Sequence, residues 1–261
     1  MGSFDRVASR YDASRRLPQV VLDQLAEAVV SALPPGAGAI LEPGIGTGRV
    51  ALPIAARFPG RYVGVDIAAE MLNRLRENTW HDRSPLLVYA DVHHLPFQSA
   101  TFDAAVVVAL FHLLPNRVDA ITEVARTLRP RGLLFHGRTE YRGEHGQLVE
   151  RLRHYRSSGR AANDTKPVPQ RIHDDLASKL AYETSINVGV WDVVTTVREL
   201  ADAFAARLWS GTWKLSDAEV ARGAEDMVRI AKNQGIGPDE SLCHQRAMYL
   251  DVYRAGPWVA K

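Results

Sequence analysis

The stretch Leu41-Glu42-Pro43-Gly44-Ile45-Gly46-Thr47-Gly48-Arg49 decides how this chain is read. Before it, Gly38-Ala39-Ile40-Leu41 is short and apolar, as a buried strand is. After it, Val50-Ala51-Leu52-Pro53-Ile54-Ala55-Ala56-Arg57-Phe58 carries apolar residues at helical spacing. Three glycines therefore occupy a strand-to-helix turn, where they permit positive φ and let a ligand approach bare backbone. The amides and dipole of the following helix favour a negative or electron-rich group in the same space. Glu42 stands at the strand's carboxyl end, where open α/β sheets bind ligands.

Three ligand readings compete for this turn. A phosphate loop needs Gly-Lys-Ser/Thr after four intervening residues, and no Lys-Ser/Thr follows these glycines. A dinucleotide fingerprint needs glycine at relative positions one, three and six; Gly44 and Gly46 fit, but the sixth position is Arg49, too large for close helix–strand packing. The third reading, acid-x-Gly-x-Gly-x-Gly, is met in full by Glu42, Gly44, Gly46 and Gly48.

Working outward, Val20 to Ala32 reads as an amphipathic helix stopped by Pro34-Pro35-Gly36. Arg61 to Asp66 and Leu86 to Asp91 read as strands that each end in an acid, with a helix over Ala68 to Asn78 between them. Phe102 to Leu110 is apolar on both faces, as a central parallel strand is. Asn116 to Leu128 reads as a helix closed by Arg129-Pro130-Arg131-Gly132, and Leu133 to Gly137 as a fifth strand. This alternation predicts an α/β fold with a doubly wound, mostly parallel sheet. Beyond Gly137 the expected elements are helices over Gln147 to Tyr155 and Arg171 to Ala181, a loop over Arg160 to Gln170, and a strand over Glu183 to Val194. Helices over Thr195 to Leu208 and Ser216 to Asn233 and a strand over Cys243 to Tyr253 follow. We expect one domain over 1–261: a core over 1–137, a cap insertion over 138–182, and closing strands and helices over 183–261.

Composition bounds the function. With 261 residues, 46% of them hydrophobic, the chain is long enough for one α/β domain with a sizeable core. A formal net charge of +2 is no general signature of a nucleic-acid or membrane partner. The single cysteine, Cys243, excludes an internal disulfide and a cysteine-cluster metal site. Met1 to Arg6 has early charges and no apolar signal core, Arg6 replaces the Ser or Thr of a myristoylation signal, and Ala104 to Leu114 is too short to span a bilayer. The expectation is a soluble cytoplasmic protein.

The glycine turn and the acids at 42, 66 and 91 resemble the cofactor motifs of class I S-adenosylmethionine-dependent methyltransferases, in particular their small-molecule group of quinone and natural-product enzymes. The likeness covers about residues 5 to 137. It implies a Rossmann-like sheet of seven strands whose last two, around Ile186 and Met248, form an antiparallel pair. It implies S-adenosylmethionine as cofactor, with Glu42, Gly44, Ile45 and Gly46 at its methionine end. Asp66 would accept from both ribose hydroxyls, a charge-assisted arrangement, with Ile67 and Met71 beside the adenine. Asp91 would accept from the adenine amino group, with Val92 on its backbone side. Carbonyls near Ala109 and Leu110 would help hold the ammonium, and Tyr11 and Arg15, with Arg16 as a rival, would cover the cofactor and pair with its carboxylate. Each has a plainer reading: a strand-end Asp as a helix cap, Ile67, Met71 and Val92 as core, Tyr11 and Arg15 as a solvated helix.

Methyl transfer needs an aligned nucleophile and excluded water, and a base only where the nucleophile begins protonated. His112, just after the fourth strand, is the candidate base or acceptor-orienting residue; the plainer reading is a strand-end histidine bonded to backbone. His136 reads as structural, while Arg138, Glu140, Tyr141 and His173 are candidate pocket residues. The fourth motif is Val-Ala-Leu-Phe-His, not Asn/Asp-Pro-Pro-Tyr, which argues against nucleobase or glutamine amino groups. No acid pair suits a metal-bound catecholate, so no metal is expected. What remains is O-, N- or C-methylation of a small molecule, capped by a region holding Trp191, Trp209 and Trp213. The rival readings are a nicotinamide-dependent oxidoreductase (Asp66 on the ribose), an RNA methyltransferase using the basic stretch Arg138 to Arg171, and a non-catalytic cofactor-binding member.

Overall fold

The computed structural model describes residues 17–77, 83–153, 167–213 and 215–256. In chain order these form α1 (Gln19–Ala32), β1 (Ala39–Pro43), α2 (Ala51–Arg57), β2 (Arg61–Asp66), α3 (Ala69–Glu77), β3 (Leu86–Tyr89) and β4 (Phe102–Val108). There follow a 3-10 turn (Phe111–Leu113), α4 (Arg117–Thr127), β5 (Leu128–Arg142), α5 (Gly146–Arg153) and α6 (Val168–Ala177). The chain closes with β6 (Ala181–Thr196), α7 (Val197–Ala205), a second 3-10 turn (Ser210–Thr212), α8 (Asp217–Lys232) and β7 (Ser241–Arg254).

The strands make one sheet of seven in the order β3-β2-β1-β4-β5-β7-β6. The first five run parallel, and β7 is antiparallel to both β5 and β6. This is the Rossmann-like, doubly wound sheet expected, with Ile186 of β6 paired to Leu250 of β7. The order reverses between β1 and β4, so the loops at their carboxyl ends part and leave the crevice where such sheets bind ligands.

Burial explains the elements. In α1, Val21, Leu22, Leu25, Ala26 and Val29 form one buried stripe. Along β4, Ala104 to Val107 are buried without a break, because helices cover both faces. One core packs α1, α2 and part of α3 on one side of the sheet through Leu25, Ile54, Leu75 and Phe135. The second packs α4 and α6 on the other side through Val107, Phe111, Ile121, Leu176 and Tyr253. A third, made by α5, α7 and α8 around Leu152, Phe204, Trp209, Met227 and Leu242, lies over the far end of the closing strands. No described helix is long and apolar enough to cross a membrane.

Two elements differ most from the sequence reading. β5 was expected over Leu133 to Gly137 but runs from Leu128 to Arg142. At its start Leu128 pairs with Phe102 across a register shift, and Arg131 there adopts φ of 66°. At its end Arg138 to Arg142 look like loop because they are charged, yet β7 supplies their ladder partners from Tyr249 to Gln245. The helix expected from Arg171 begins at Val168, with Pro167 as its N-cap and Pro169 in the first turn, where a missing N–H costs nothing.

Candidate functional site

β1 delivers Glu42 and the glycine turn to the crevice. Gly44, Gly46 and Gly48 all have positive φ, at 72°, 56° and 81°. The amides of Gly44 and Ile45 donate to the Val65 carbonyl at 2.7 and 3.1 Å, so the turn folds back onto β2. The three glycines are needed for different reasons. A Cβ at Gly48 would lie 2.3 Å from Leu75 Cδ1, and one at Gly44 3.0 Å from Leu110 Cδ1; at Gly46 nothing lies within 4 Å. Gly48 thus permits helix packing, Gly44 lets the end of β4 close over the turn, and Gly46 faces open space.

Asp66, at the end of β2, holds this turn in place. Its Oδ2 accepts from the Gly46 amide at 2.8 Å and its Oδ1 from the Ala68 amide at 2.9 Å, just ahead of α3. The cap-like role and the expected ligand role therefore fall on one carboxylate. Ile67 beside it is 56% exposed, unusual for a large aliphatic residue next to a strand end. Ile45, Met71 and Val92 are buried. The Ile45 side chain rests on Gly64, where a Cβ would come within 2.0 Å of it, so only its backbone is available to a ligand.

Glu42 is buried, and its Oε2 accepts from the Tyr62 hydroxyl at 2.5 Å. Burial pushes its carboxyl up to about 8, against the downward pull of the Tyr62 bond and of Arg49; burial likewise raises the Tyr62 phenol. Asp91, two residues past β3, has a side chain 44% exposed. Its Oδ1 accepts from the His93 amide at 2.9 Å and lies 2.7 Å from His93 Nδ1. These contacts, the amide first, hold its carboxyl below the ordinary range. Tyr62 and His93 were missed in the sequence. Tyr62 sits on β2, paired with Ile40 of β1, and a tyrosine there signals a buried hydroxyl in need of a partner.

At the end of β4, Ala109 adopts φ of 57°, a strained conformation for a non-glycine residue. Leu110 packs over Gly44, Phe111 is buried, and His112 is exposed. His136, expected to be structural, is 6% exposed and lies 5.9 Å from Phe111, ring to ring; burial lowers its pKa to about 4. Arg138 does not open freely into the crevice, because its Nε donates to Asp251 at 2.7 Å and it also pairs with Glu140. His173 Nδ1 lies 2.8 Å from the Tyr253 hydroxyl. Trp209 belongs to the third core and Trp213 Nε1 donates to the Arg207 carbonyl at 3.0 Å, so both serve packing. Tyr11, Arg15 and Arg16 lie outside the described residues. Among the described residues no group of three His, Cys, Asp or Glu side chains could hold a metal ion.

Residues 41–136 match the family model described as a methyltransferase domain. Over 136 residues the chain is 38% identical to a ubiquinone/menaquinone biosynthesis C-methyltransferase of Syntrophotalea carbinolica, covering 50% of this chain and 57% of that one. Over 137 residues it is 33% identical to a malonyl-[acyl-carrier protein] O-methyltransferase of Geobacter sulfurreducens, covering 50% and 49%. The chain spans about half the length of these curated relatives. The fold matches a Bacillus halodurans crystal structure assigned as a methyltransferase, with TM-score 0.60 and 17% identity over 90% of this chain and 98% of that one.

Proposed function

We propose, from the premise that residues 41–136 form a class I methyltransferase domain, that this chain uses S-adenosylmethionine to methylate a small molecule at carbon or oxygen. When bound, that cofactor supplies an electrophilic methyl carbon on a sulfonium. The chain's own residues bind and align it. In this reading Asp66 accepts from the ribose hydroxyls with lone pairs not spent on Gly46 and Ala68, and exposed Ile67 covers the adenine. Asp91 accepts from the adenine amino group. Glu42 serves the ammonium, and the raised backbone at Ala109 and Leu110 presents carbonyls beside it. Ile45, Met71 and Val92 contribute as the packed floor. Tyr11 and Arg15 are the proposed cover, and His112, exposed past β4, the proposed acceptor-orienting residue.

One observation carries the reading. The Gly46 amide is anchored on Asp66 at 2.8 Å while the space where its Cβ would project is open. A turn built only for packing would be filled there, as it is at Gly48. The names of the relatives, one acting at carbon and one at oxygen, support those two acceptor atoms. Calorimetry with S-adenosylhomocysteine is the test: one site per chain is expected, and no heat at millimolar ligand would sink the reading.

A further inference from the structure

On one face of β7 the alternate residues Leu242, His244, Arg246, Met248, Leu250 and Val252 point the same way. Met248, Leu250 and Val252 belong to the core under α1 and α2, and Leu242 to the core under α5, α7 and α8. Arg246 falls at the junction of the two. Its guanidinium carbon lies 5.4 Å from the Tyr141 ring, which packs against the α5–α7–α8 core, and 5.3 Å from the Trp191 ring, which packs against the other. Its Nη2 is 3.3 Å from Thr139 Oγ1. Its Nε is buried and has no hydrogen-bond partner.

That setting is unusual for an arginine. Arg138 and Arg142 on β5 and Arg254 on β7 each meet a carboxylate. Arg246 is held by two rings and one hydroxyl, contacts that fix its plane without neutralising its charge. A half-buried guanidinium whose plane is fixed by two rings is preorganised for a planar anion that brings its own two oxygens. Its place also fits the proposed chemistry. The last β4–β5 pair is Val108 with Gly137, and Arg246 pairs with Tyr141, four residues further along β5. At about 3.3 Å per residue, that is on the order of 13 Å beyond the edge where the glycine turn lies.

We propose that Arg246, with Thr139 and the Tyr141 and Trp191 rings, binds a carboxylate at the end of the methyl acceptor remote from the methylated atom. This rests on the methyltransferase reading above and deepens it: the acceptor is a flat, anionic molecule, gripped at one end by Arg246 and alkylated at the other. Arg246 is then a specificity-determining residue.

The test uses the full chain saturated with S-adenosylhomocysteine and two probes of one shape, 2-naphthoate and 2-naphthol, titrated by tryptophan fluorescence and ligand-observed NMR. Naphthoate is expected to bind tighter by about tenfold or more, the scale of a charge-assisted hydrogen bond. Arg246→Met keeps the apolar stem and should abolish the preference; Arg246→Lys keeps charge without the fork and should fall between. Thermal melts identify a variant that fails to fold, in which case the lysine variant decides. Equal binding of the two probes, or naphthoate affinity unchanged in both variants, overturns the proposal. Failure of S-adenosylhomocysteine itself to bind overturns the methyltransferase reading instead, so the two failures are distinct.

Discussion

Tyr62 of β2 donates its hydroxyl to Glu42 of β1 at 2.5 Å, and both residues are buried. A buried carboxyl with one neutral donor is better satisfied protonated than charged, which is why its pKa rises to about 8. Between its unfolded value and about 8 the native state binds a proton that the unfolded state has released. Stability therefore falls as pH rises through that window. Glu42→Gln removes the titration, so the variant's melting temperature should gain on the parent's steadily from pH 5 to pH 8.5. A constant difference across that range would show that Glu42 is already charged in the native state.

The same pair predicts proton release on ligand binding. The ammonium of S-adenosylhomocysteine favours a charged Glu42, so binding near neutral pH should expel a proton. Calorimetry in two buffers of different ionisation enthalpy would report it as a heat difference, and Glu42→Gln should erase that difference. Identical heats in both buffers would place the ammonium elsewhere.

Alanine substitutions in the turn should separate packing from binding. Gly48→Ala forces a Cβ into Leu75 at positive φ, so it should destabilise by at least about 2 kcal/mol by overpacking and strain together. Gly46→Ala meets no atom and bears only the backbone term, about 1 kcal/mol. Its effect should fall on S-adenosylhomocysteine affinity instead. Denaturant melts and calorimetry on the two variants check the split; equal destabilisation with unchanged affinity would mean that Gly46 faces no ligand.

How much of this was legible beforehand depends on which physics set each feature. Periodicity and apolar runs located β2, β4 and α1, because local pattern and burial agree there. The tail of β5 was not legible: Arg138, Glu140 and Arg142 are strand only because β7 pairs with them from over a hundred residues away. The acids at 42, 66 and 91 were visible because each lies at or just past the end of a recognisable strand. Their partners Tyr62 and His93, and the isolation of Arg246, depend on contacts between strands that no local window contains. The expected pocket lining fared unevenly for the same reason. Arg138 is engaged by Asp251, a residue read only as part of the last strand.

Helices α7 and α8 offer a last prediction that is independent of any ligand. Thr196 and Ser216 each close a reciprocal capping box, with Glu199 and Glu219, at the starts of α7 and α8. Each alanine substitution should destabilise by about 1 kcal/mol through loss of the side-chain acceptor for the N3 amide. The two sites serve helices that share one core around Phe204 and Met227, so the double variant should show the sum or slightly more. That core is separate from the one that holds Ile45 of the glycine turn, so S-adenosylhomocysteine affinity should be unchanged in all three proteins. Weakened affinity in the single variants would mean instead that α7 and α8 are coupled to the glycine turn through the closing strands, and calorimetry beside the denaturant melts decides between the two.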